Sequence, residues 1–237
     1  MATGREIIAD TQPFFEWLAG WYDALEPAGL ADVLPQPGMG AILAADLIVG
    51  FCSEGPLASP RIQAIVPATV DLLRKAHAAG VTRFVLAQDT HAPNTPEFQA
   101  YPPHCLRGTR EADMVPELAK LPFADHFTII EKNSLSVAVG TRFHDWLTAN
   151  DDITDYVVTG DCTDLCTYQM AMYVRLWANA SNRPDITVWV DAAAVDTFDI
   201  PVSAAGDAVL PHPGNFSNMY FLYHMALNGI RIISGVH

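Results

Sequence analysis

Short, unbroken apolar runs recur along this chain, and each ends on a residue able to do chemistry. The runs are 41–45 before Asp46, 83–87 before Asp89 and His91, 127–130 before Lys132, and 156–158 before the loop that carries Cys166. Continuous rather than alternating hydrophobicity marks strands of a parallel sheet covered on both faces. In an open sheet of that kind the carboxyl ends of the strands share one crevice. A carboxylate, a metal-ligating pair, an amine and a thiol are therefore expected to meet although far apart in sequence.

Helical periodicity fills the intervals. Residues 62–79 read as a helix closed by Gly80, 141–149 as a second, 165–180 as a third and 215–228 as a fourth with Gly229 at its end. Two further strands are read at 186–190 and 230–233. Strand and helix alternate, which predicts a three-layer α/β/α fold: an open, mostly parallel six-stranded sheet with helices on both faces. Residues 1–40 read as an N-terminal helical extension and 41–237 as the domain. In the extension Asp10, Thr11 and Pro13 mark a helix start, and Phe14, Trp17, Leu18, Trp21 and Leu25 give one apolar face. That face covers core or makes a subunit contact.

Composition excludes several classes of partner. The 237 residues are 50% hydrophobic, so a core is available, and the net charge of −14 argues against nucleic acid or an anionic membrane surface. The start of the chain has no signal-peptide pattern and no apolar run is long enough to span a bilayer. Four cysteines (Cys52, Cys105, Cys162 and Cys166) are too few for a disulfide framework, so reduced thiols and a cytoplasmic location are expected. Cys162 and Cys166 could be half of a zinc site, but no second cysteine pair supports it.

The segment Thr159-Gly160-Asp161-Cys162-Thr163-Asp164-Leu165-Cys166 places Cys166 in the first turn of a helix. Free amides and the helix dipole there favour a thiolate and can hold an oxyanion. A lone cysteine would more simply be buried and inert. The strand-end positions of Asp46 and Lys132 favour chemistry: Asp46 can accept the thiol proton while Lys132 keeps Asp46 ionised. A structural salt bridge would explain that pair but leave the cysteine without a role.

These residues, with their flanking segments Ala44-Ala45-Asp46-Leu47-Ile48-Val49-Gly50-Phe51 and Ile130-Glu131-Lys132-Asn133-Ser134, resemble the isochorismatase-like cysteine hydrolases. The resemblance runs from about Ile42 to the C-terminus. It implies Cys166 as nucleophile, Asp46 as base and Lys132 as their partner. It further implies a cis peptide bond between Asp161 and Cys162, and an oxyanion hole made by the amides of Cys162 and Cys166.

A second constellation follows the second strand. Asp89 and His91 alternate by two and so point the same way from extended backbone, while Glu97 and His104 lie on a proline-rich loop just beyond. Two imidazoles and two carboxylates suit one divalent ion: zinc first, iron or manganese otherwise. Asp-x-His alone is a weak signal, since a loop histidine is more often structural. The nicotinamidase branch of the family carries these four ligands, and the resemblance implies nicotinamide as substrate, NAD salvage as its setting, and Phe51 and Tyr101 as the walls of the ring site. Both aromatics could instead be ordinary packing. A homo-oligomer is expected on the same ground. This chain departs from the branch at Thr90, where an aromatic is usual, at Ile48 and Gly50, where polar residues are usual, and over 196–213. Hydrolysis of another small amide (ureido, carbamoyl or aromatic) and a non-catalytic metal-binding homologue are the competing readings.

Overall fold

The computed structural model describes residues 1–204, 206 and 209–237. Its sheet contains β1 (Gly40–Ala45), β2 (Arg83–Asp89), β3 (Phe127–Lys132), β4 (Asp155–Asp161), β5 (Thr187–Asp196) and β6 (Arg231–Ile233). The strand order is β3-β2-β1-β4-β5-β6 and every pairing is parallel. The helices are α1 (Gly4–Asp23), α2 (Leu30–Val33), α3 (Val49–Cys52), α4 (Pro60–Ala79), α5 (Pro116–Ala119), α6 (Phe143–Ala149), α7 (Cys166–Ala180) and α8 (Gly214–Leu227).

All six residues of β1 are buried, as a central strand covered on both faces requires. Its side chains alternate between two cores. Ile42 and Ala44 join α4 and α5 on one face, with Leu72, Leu73 and Leu118. Ala41, Leu43 and Ala45 join α6 to α8 on the other, with Leu147, Met170 and Leu222. The chain order reverses between β1 and β4, so the crevice at that switch point lies beside Asp46 and the β4–α7 loop.

Four strands run longer than hydrophobicity alone indicates. β2 takes in Gln88 and Asp89, β3 Glu131 and Lys132, β4 Gly160 and Asp161, and β5 reaches Asp196. The ladder bonds belong to the backbone and do not stop where the side chains turn polar. Their register sets Asp89 directly opposite Lys132.

The first helix begins earlier than residues 10–13 suggested. A reciprocal capping box starts it: the Glu6 amide donates to Thr3 Oγ1 at 3.3 Å, and the Thr3 amide donates to Glu6 Oε2 at 2.7 Å. That cap satisfies two otherwise free amides, and Pro13 is accommodated inside the helix. The apolar face of α1 lies on α8, with the Phe14 and Trp21 rings 5.3 and 5.8 Å from Tyr223 and Leu18 fully buried.

Gly160 controls how closely β4 approaches β1. Its φ is +111°, and a Cβ there would overlap the backbone of Ala45, one residue before Asp46. Gly160→Ala is expected to destabilise the protein by about 2–4 kcal/mol, from strain at positive φ together with overpacking. Urea unfolding checks this, with full stability as the contrary result.

Candidate active site

Three strand ends and one helix start build the site. Asp46 follows β1 in a left-handed conformation, φ +52°, which is costly for a residue with a Cβ and is held by its surroundings. Its amide donates to the Ala87 carbonyl, and its Oδ1 accepts the Asp89 amide at 2.7 Å. Lys132 Nζ lies 2.8 Å from Asp46 Oδ2, 2.5 Å from Asp89 Oδ1 and 3.3 Å from Cys166 Sγ. The thiol, both carboxylates and the ammonium group therefore form one contact cluster. It is almost fully buried: Asp46 is 1% exposed, Lys132 2% and Cys166 5%.

Burial raises the Asp46 carboxyl to about 6; the Asp89 charge adds to this and Lys132 opposes it. Burial works against the Lys132 ammonium, but its two carboxylate neighbours hold its pKa well above the usual lysine range. The Cys166 thiol is pushed well up, by burial first and then by Asp46 and Asp89, with only Lys132 opposing. The helix start favours a thiolate, whereas burial beside two carboxylates acts in the opposite direction and favours the protonated thiol.

The loop from Cys162 to Cys166 turns tightly, with the Leu165 and Thr167 amides both donating to the Cys162 carbonyl at 3.0 and 3.1 Å. Among the described residues, the amides of Cys162 and Cys166 donate to no protein acceptor. The peptide bond between Asp161 and Cys162 is trans, against the expectation of a cis bond; trans is the default for any residue that does not precede proline. The four thiols are free, so no disulfide competes for Cys166.

Next to this cluster lie Asp89, His91, Glu97 and His104. One ligand atom from each falls within 4.8 Å of all the others. His91 Nε2 is 3.4 Å from Asp89 Oδ2 and 3.7 Å from Glu97 Oε1, and His104 Nε2 is 3.9 Å from Asp89 Oδ2. The backbone explains the gathering of the histidines: His91 pairs with Leu106, through its amide to the Cys105 carbonyl and the Arg107 amide to its own carbonyl. Cys105, at φ +45°, turns the chain between His104 and Leu106. His104 Nδ1 donates to the Pro102 carbonyl at 2.8 Å, leaving the Nε2 lone pair facing the centre, and burial lowers its pKa.

Asp89 Oδ2, His91 Nε2 and Glu97 Oε1 are buried without hydrogen-bond partners among the described residues. Such atoms are costly to leave unpaired. A divalent cation among the four side chains would satisfy them together, so the donor set fits a metal. The Phe51 ring lies 5.5 Å and the Tyr101 ring 6.3 Å from the His104 ring, so both aromatics border this centre.

Two departures from the branch pattern have packing causes. A Cβ on Gly50 would lie 2.5 Å from Cys105 Sγ and 2.9 Å from the Glu111 carbonyl, so no polar side chain fits there. Ile48 is fully buried and its backbone pairs with Met114. Sequence reasoning missed Asp161, whose buried carboxyl is pushed well above the usual carboxylate range, and the contact of Asp164 with His212. Extension of the β4 ladder could have flagged the first; a 48-residue separation that takes in α7 and β5 gave no signal for the second.

A thiol, a carboxylate and an ammonium group in contact at the switch point of an all-parallel sheet are the parts of a cysteine hydrolase. The chain belongs to the isochorismatase family, whose domain matches residues 40–199. Nicotinamidase 1 of Arabidopsis thaliana is 29% identical over 224 residues, covering 86% of this chain and 89% of that protein. Among solved structures, a cysteine hydrolase from Pseudomonas syringae pv. phaseolicola 1448A superposes with a TM-score of 0.68 at 18% identity, covering 88% of this chain and 92% of its own. The pyrazinamidase of Pyrococcus horikoshii in complex with zinc gives 0.64 at 21% identity, over 82% and 98%. At these identities the two structures establish the fold. No helix among the described residues is long and apolar enough to cross a membrane.

Proposed function

We propose that this protein hydrolyses nicotinamide to nicotinate and ammonia, with Cys166 as nucleophile, Asp46 as proton carrier, Lys132 as their electrostatic partner and the amides of Cys162 and Cys166 as the oxyanion hole. The observation that carries this reading is the adjacency of two centres: Asp89 bonds to the ammonium group that touches Cys166, and also belongs to the four-ligand cluster. Its relation to a plant nicotinamidase supports the same substrate.

Asp46 takes the proton from Cys166, and the sulfur bonds to the carboxamide carbon. The free amides receive the negative charge on the carbonyl oxygen. Asp46 passes its proton to the departing nitrogen, the C–N bond breaks and ammonia leaves. Water, deprotonated by Asp46, then opens the thioester, and the proton returns to sulfur. A base near 6 is well placed for this exchange, since it is largely ionised at neutral pH yet basic enough to accept a proton. Lys132, anchored by two carboxylates, does not itself exchange protons and keeps the transferred charge paired.

Asp89, His91, Glu97 and His104 would hold one divalent ion, for which zinc is our assignment, in keeping with the zinc in the Pyrococcus horikoshii pyrazinamidase. When bound, that ion supplies a Lewis acid for a ring nitrogen of the substrate. Phe51 and Tyr101, both beside His104, would bracket the ring.

Ammonia release across a panel of amides, before and after chelation, tests the proposal. Nicotinamide is expected to be the best substrate, with activity lost on chelation and regained with zinc. Equal turnover of a ureido or carbamoyl compound by metal-stripped protein would reject it.

A further inference from the structure

The segment after β5 reaches back onto the loop that carries the two free amides. Asp164, between Cys162 and Cys166, has both carboxylate oxygens engaged: Oδ1 accepts Thr197 Oγ1 and Oδ2 accepts His212 Nε2, each at 2.6 Å. The other ring nitrogen of His212 donates to the Phe198 carbonyl at 2.8 Å, and the imidazole stacks on the Phe198 ring at 3.9 Å. The Thr163 amide donates to the Asp196 carbonyl, and Thr163 Oγ1 to Asn218 Oδ1 at 2.6 Å. Arg61 of α4 braces the far side, donating to the Thr197 carbonyl, Asp196 Oδ1 and Asn215 Oδ1.

We propose that His212 is a positioning residue, which pins Asp164 and thereby holds the Cys162 and Cys166 amides on the oxygen of the reacting carbonyl. The reaction step rests on the hydrolytic reading above, whereas the pinning of the loop does not. Both ring nitrogens of His212 face acceptors, a carboxylate and a carbonyl, and both are satisfied only when each carries a proton. A misplacement of about 1 Å in a catalytic loop lowers turnover on the order of 10²-fold, so a tether of this kind has a measurable consequence.

Among the described residues, the charged groups around His212 are Asp164 of the loop, Asp199 of its own segment and, one residue further, the Arg61–Asp196 pair of α4 and β5. Burial opposes the imidazolium, but the bond and charge of Asp164 outweigh it, so the pKa of His212 is raised. The sign follows: the tether is complete below the raised pKa and weakens as pH rises through it. Turnover should therefore show an alkaline loss that His212 variants do not share.

The experiment uses full-length, zinc-loaded protein and the best amide of the panel. His212→Gln is expected to lower kcat on the order of 10²-fold with KM and metal content little changed. It should also speed hydrogen exchange in the 162–167 peptide and abolish the alkaline step in kcat. Thr197→Val, which removes the second bond to Asp164, should move kcat and exchange the same way by less. The pair Asp164→Asn and His212→Gln should be no worse together than Asp164→Asn alone. Unchanged kcat and unchanged exchange in His212→Gln would overturn the proposal. So would a kcat loss that follows melting temperature and leaves exchange at 162–167 as in the parent. If the parent hydrolyses no amide, the functional reading fails, and the exchange arm still decides whether His212 pins the loop.

Discussion

Cys166→Ala is expected to lower amide turnover on the order of 10⁵-fold or more, because in a triad that acts as a unit the loss of the nucleophile removes the whole covalent route. The effect should be confined to chemistry. Cys166 Sγ is 3.3 Å from Lys132 Nζ, whose firmer contacts are to Asp89 and Asp46, so the ammonium group stays paired when sulfur is removed. Metal content and the urea midpoint should stay close to those of the parent. Single-turnover ammonia release and metal analysis check both halves. Substantial turnover by the alanine variant would remove Cys166 from the reaction, and a parallel loss of metal would mean that the two centres are not separable.

Lys132→Ala is the second large effect, and it falls on stability as well as rate. Lys132 stands between two carboxylates, Asp46 and Asp89, that are almost completely buried. Removing one partner of a buried ion cluster leaves uncompensated charge, which costs about 3–5 kcal/mol. Urea unfolding of chelated protein should therefore show a large fall in midpoint for Lys132→Ala. Lys132→Ala combined with Asp46→Asn should recover part of it, since one of the two stranded charges is then gone. Should Lys132→Ala unfold at the parental midpoint, Lys132 would not be the counter-ion of this cluster.

Much of the fold could be read from apolar runs because burial on two faces leaves little choice of residue. The run 41–45 gave β1, and Gly80 and Gly229 lie just past the ends of α4 and α8. Where polarity enters a strand the signal fades, and so β2 and β3 extend past their hydrophobic portions into Asp89 and Lys132 of the site, and β4 and β5 into Asp161 and Asp196. The start of α1 was misread because Asp10, Thr11 and Pro13 look like a cap, whereas the Thr3–Glu6 box is a stronger one. The convergence of Asp46, Lys132 and Cys166 was legible, because strand ends of a parallel sheet open on one side.

Sequence by itself determined the sheet, the kind of chemistry and the residue types available, because hydrophobic patterning and donor chemistry are local properties of the chain. Tertiary structure decided electrostatics and support. A thiol at a helix start reads as activated from its local position alone; here burial beside two carboxylates pushes its pKa up. The His212–Asp164 contact likewise exists only because β5 returns the chain to the α7 start. Desolvation and long-range contact depend on the whole fold, and no spacing along the chain encodes them.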